Sequence, residues 1–135
     1  MPSLLKLHSA VTWLLVGLIW VVQLVHYPMF SRLDRATYQQ SHAFHTGRIT
    51  WIVAPAMLLE LALASLLYFR RPDRVTALGL ALVCAIWIVT AFVMVPLHQR
   101  LSQGFDAEAQ RALVRWNWLR TAAWSLRGVL ALLWL

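Results

Sequence analysis

Four long apolar runs constrain this chain more than any other feature. They cover residues 4–26, 49–69, 75–97 and 116–135. At about 1.5 Å of rise per residue, about 20 helical residues cross the roughly 30 Å hydrocarbon layer of a bilayer. Inside lipid the chain must satisfy every backbone N–H and C=O by itself, so only helices and closed barrels can span. These runs lack the alternation of barrel strands. They predict an all-α fold: one integral membrane domain over residues 1–135, a four-transmembrane-helix antiparallel bundle.

Composition agrees. Hydrophobic residues make up 61% of the 135 and charged residues 13%, against about a quarter charged in soluble domains. Mean hydropathy is +0.65. Eight Trp and three Tyr suit a protein with two membrane interfaces to anchor. The first run is long enough to span and no small-residue cleavage site follows it, so it is expected to stay as a span rather than act as a cleaved signal. The single cysteine, Cys84, excludes an internal disulfide. The formal charge is +7, but the basic residues flank apolar runs and form no solvated patch, so no nucleic acid is expected as a partner.

The connections between runs are unequal. Residues 27–48 and 98–115 form two longer loops on one membrane face, whereas residues 70–74 make a short link on the other. The longer loops carry Arg32, Arg35, Arg48, Arg100, Arg111 and Arg115, against Lys6, Arg70, Arg71 and Arg74 opposite. That bias leans toward cytoplasmic long loops. The stretch FDAEAQRALVRWNW starts a helix, with Asp106 as N-cap and Glu108 in the first turn.

Chemistry gathers at the long-loop face. His26 closes the first run, His42 and His45 precede the second, and His98 closes the third. Three chain segments thereby bring imidazole to one end of a bundle, and His42 and His45, if helical, share a face. Histidine is the commonest metal-ligating side chain. The four are expected to hold iron, copper or zinc, with Glu60 as a further ligand. Glu60 lies about 16 Å into the membrane, where an ionisable group marks a functional site by default. Arg127 is expected at the same depth as its partner, and Pro55 offers a kink that would shorten the distance from Glu60 to the histidines. Glu60, Arg48, Asn117 and Arg120 are the candidate catalytic residues. Arg48 stands one turn past His45, suited to clamp an anion bidentately.

The "LLKLHS" of the first helix, and Arg48 followed by "APAM" at 54–57 in the second, resemble the membrane protoporphyrinogen oxidase family. Size and helix count also resemble the anthrone-oxygenase-like group. The first resemblance implies haem bound by His8, although "VTALGLALVCAIW" has no lysine where that family carries one. The reading expected from the residues is a metal-dependent membrane oxidoreductase of a bacterial-type inner membrane, acting on a lipophilic or anionic small molecule. The alternatives are a non-catalytic metal-ion binding or transport protein and a haem-binding membrane oxidase. The lipid bilayer and a second copy of the chain, as a homo-oligomer, complete the expected partners.

Overall fold

A computed structural model describes residues 1–133 and contains helices only among them. Residues 134–135, the end of the expected fourth span, lie outside the described residues. Helix α1 is Pro2–Phe30, α2 is Tyr38–Arg70, α3 is Arg74–Leu101 and α4 is Ala107–Leu132. Helices α1, α2 and α3 are long and apolar enough to cross a membrane. Each helix has two neighbours: α1 packs on α2 and α4, and α3 packs on α2 and α4. With connections at alternating ends, the result is an antiparallel four-helix bundle.

The two expected long loops are instead mostly helix. Helix α1 continues past His26 to Phe30, α2 begins at Tyr38 and α3 runs on to Leu101, while α4 begins at Ala107, where the Asp106 cap predicts it. The true connections are residues 31–37 and 102–106. Polarity in the sequence marks where an apolar run ends, not where helix ends. Helix α2 has 33 residues, about 50 Å at helical rise and well beyond the hydrocarbon layer. Its extension is held by a second core at that end, with Tyr27, Phe30, Tyr38, Met94, Leu101 and Leu113 all buried. Gly104 sits in the 102–106 turn at φ 143°, a conformation that L side chains rarely adopt.

Two helix starts are capped by aspartate, the first of them as the sequence predicts. The Asp106 carboxylate accepts from the backbone N–H of Glu108 and Ala109, and Asp73 accepts from Val75 and Thr76 in a full capping box. Those backbone N–H groups, with Arg100 beside Asp106 and Arg71 beside Asp73, hold both carboxyls below the usual carboxylate range.

Prolines shape the upper half of the bundle, the end that carries residues 31–37. Helix α1 widens into a π turn at Val22–His26, just before Pro28, and α3 does so at Thr90–Met94, just before Pro96. Proline offers no N–H to the carbonyl four residues back, and its ring collides with that carbonyl. A turn widened by one residue absorbs the conflict. Beyond its π turn, α3 packs mainly on α4 rather than α2. Pro55 leaves α2 helical throughout.

Candidate functional site

Two polar assemblies fill the bundle interior. The lower one centres on Glu60, which is fully buried. Oε1 accepts from Arg127 Nε at 3.0 Å and Thr12 Oγ1 at 3.1 Å, and Oε2 accepts from Trp124 Nε1 at 2.9 Å. Arg127 also donates to the Gly79 carbonyl and reaches His8 Nε2 at 3.1 Å. Helices α1, α2, α3 and α4 all contribute. Arg127 neutralises the carboxylate, and the donors around it replace the water that burial removed.

The upper assembly is a chain of hydrogen bonds. Tyr27 Oη lies 3.1 Å from His98 Nε2, and His98 Nδ1 lies 3.0 Å from His42 Nε2. A hydrogen bond between two imidazole nitrogens needs a lone pair from one of them, so at least one ring of the pair is neutral. Gln110 of α4 donates to the Tyr27 carbonyl at 2.8 Å and accepts from Tyr38 Oη at 3.3 Å. Arg120 interacts with the Tyr27 hydroxyl, donates to Asn117 Oδ1 at 3.1 Å and lies over the Trp124 ring at 5.1 Å. Asn117 in turn donates to Gln23 Oε1 at 2.8 Å.

Between these assemblies lies a cavity of about 460 Å³. Such a volume falls in the range of about 300–1,000 Å³ typical of small-molecule sites. Leu15, Ile19, Val53 and Met57 make its apolar wall, Tyr27, His42, His45, His98 and Arg120 its polar end. Thr46, Thr50, Ala54, Val95 and Gln99 line it from the facing sides of α2 and α3, where the upper part of α3 leans away.

The structure brings the four histidines to one end, but as two pairs. The rings of His42 and His98 have centroids 5.3 Å apart, and those of His26 and His45 are 4.9 Å apart. Phe30 packs between the pairs, 5.5 Å from His42 and 5.0 Å from His45. Residues three apart on a helix diverge by about 60°, enough for His42 to face α3 and His45 to face α1. Among the described residues, no three His, Cys, Asp or Glu side chains converge in a geometry that would hold a metal ion.

The remaining expected residues divide. Glu60 is not with the histidines: it lies deeper, with its oxygens committed to Thr12, Trp124 and Arg127. Arg48 does not reach the interior. It is exposed, near the Phe44 ring at 5.4 Å, in an outer groove between α1 and α2 that His26 and His45 also line. Asn117 and Arg120 are buried in the bundle. His8 sits against Arg127 and lines neither the cavity nor the groove. Sequence reasoning missed Thr12, Gln23 and Trp87. Gln23 carried a usable signal, an amide inside an apolar run. Thr12 and Trp87 did not stand out, because threonine and tryptophan are ordinary in such helices. No family model, curated protein or solved structure matches this chain.

Proposed function

We propose that this is a membrane enzyme that admits a lipophilic small molecule from the bilayer into the interior cavity and exchanges a proton with it through Tyr27, His98 and His42. One observation carries the reading: a single cavity has an apolar wall suited to a membrane-soluble molecule and a polar end made by a complete hydrogen-bonded chain. The chain works in both directions. Tyr27 passes its proton to His98 Nε2, His98 passes the Nδ1 proton to His42 Nε2, and His42 keeps it as the imidazolium. Tyr27 then regains a proton from the bound molecule, and the anion that molecule becomes matches the imidazolium charge; the return steps run in reverse. Positioned groups of this kind act as general acids and bases.

All four helices cross the bilayer in this reading. Helix α4 carries Asn117, Arg120, Thr121 and Arg127, yet all four are buried against the other helices. Its outward residues Leu119, Leu126, Val129 and Leu132 are apolar and exposed. Polar residues turned to the bundle interior are the usual arrangement in a membrane.

A metal-dependent oxidoreductase is the second reading. His42 Nε2 and His98 Nδ1 are 3.0 Å apart, which suits two ligand atoms that each sit about 2.0–2.1 Å from one ion. Iron, copper or zinc would take its other ligands from substrate or water.

The test uses cis-parinaric acid methyl ester, a neutral lipophilic probe excited by energy transfer from tryptophan; Trp87 and Trp124 line the cavity. Saturable transfer in the wild type should be lost in Ala54→Trp, which fills the cavity. Transfer unchanged by that substitution overturns the reading. Elemental analysis of the same samples decides for the metal: near-stoichiometric metal, lost in His42→Ala, supports the second reading.

A further inference from the structure

The charge inventory of the cavity is unbalanced. The chain has five acidic residues. Asp34, Asp73 and Asp106 lie in the connections, Glu108 is exposed in the first turn of α4, and Glu60 is paired with Arg127. Arg120, only 6% exposed, lines the cavity with no acidic partner among the described residues. Its polar contacts are Asn117 and the hydroxyl of Tyr27, both uncharged in their ordinary forms. Its Nε is buried and has no acceptor. The indole Nε1 of Trp87, on the same cavity, is also buried and without an acceptor. A buried donor left unpaired costs about 1–3 kcal/mol, more for a charged group. Two such donors in one cavity are an arrangement completed by something that enters it.

We infer that the molecule this cavity takes is a lipophilic monoanion, a single-chain carboxylate whose head accepts from Arg120 and Trp87 while its chain lies along Leu15, Ile19, Val53 and Met57. This rests on the cavity being a binding site for a membrane-soluble molecule. Guanidinium matches a planar carboxylate in shape and charge. One uncompensated cation fits one negative charge, so a carboxylate suits the site better than a doubly charged phosphomonoester. The open side toward α2 and α3 gives such a molecule a route from the bilayer. Arg48, outside the bundle, takes no part.

The experiment compares cis-parinaric acid with its methyl ester in the same detergent micelles, above the pH at which the acid ionises there. The wild type should bind the acid at least tenfold more tightly than the ester. Arg120→Gln should bring the two to equal affinity, and Trp87→Phe should weaken the acid several-fold while leaving the ester unchanged. Equal affinities for acid and ester in the wild type overturn the inference, whatever the variants do. In that case, ester transfer that Ala54→Trp still abolishes leaves the cavity reading standing. Transfer that Ala54→Trp does not affect removes both. If Arg120→Gln fails to fold, the wild-type comparison and Trp87→Phe decide the matter, and an unchanged acid affinity in Trp87→Phe removes the indole from the site.

Discussion

At the scale of single residues, the interior follows one rule: each buried charge has been given company, with one exception. Glu60 has three donors and Arg127 three acceptors, a set closed on itself. Closed sets of this kind hold structure together and leave little free to react. Glu60→Gln keeps the shape but strands Arg127 without a countercharge. Removing one partner of a buried ion pair costs about 3–5 kcal/mol. The expected result is a variant that unfolds at markedly lower denaturant or temperature than the wild type. Glu60→Gln combined with Arg127→Met should be less destabilised than the single effects would sum to, because the two residues act as a unit. A single variant as stable as the wild type would show that the pair does not hold the bundle. Arg120 is the exception, and its unfinished partners are what distinguish a site from a brace. The sequence showed that Glu60 and Arg127 would meet, because two charges at matched depth in adjacent apolar runs have few other choices. It did not show that Arg120 would be the cation left over, since that depends on which acid each arginine reaches in three dimensions.

At the scale of helices, small residues and prolines decide where the bundle is tight and where it is open. Gly128 is the tight point. A Cβ there would lie 3.2 Å from both Trp13 and Val16, so α1 and α4 approach one another across a glycine. Small residues allow such approaches between membrane helices. Gly128→Leu should push the helices apart and destabilise the protein by about 1–3 kcal/mol, the usual range for overpacking. Thermal unfolding in detergent measures it, and an unchanged midpoint would show that the seam is loose. Pro96 marks the open place: the π turn before it goes with the lean of α3 toward α4 and the gap beside α2. Of these features, the helices themselves were legible in the apolar runs, and so was the Asp106 cap. The helical extensions through Tyr27–Phe30 and Tyr38–Arg48 were not, because hydropathy reports lipid contact and those turns are stabilised by packing on one another. The two histidine pairs were hidden for a similar reason. Helical spacing brings His42 and His45 to one stretch of helix, but Phe30 from α1 decides that they face different partners.

At the scale of the whole molecule, a bundle with a braced lower half and an open, polar upper half has one evident use for the space between them. The account's central claim is that a membrane-soluble molecule occupies that space. Photolabelling in bilayers with a lipophilic diazirine, followed by peptide mapping, tests it most directly. Leu15, Ile19 and Met57 line the cavity and are 1%, 4% and 2% exposed. Leu14, Leu58 and Phe92 face outward, at 54%, 58% and 76% exposed. Outward residues should label in proportion to reagent. The three inward residues should label strongly and saturably, and their labelling should fall when cis-parinaric acid methyl ester competes or when Ala54→Trp fills the cavity. Labelling confined to the outward residues would contradict the account.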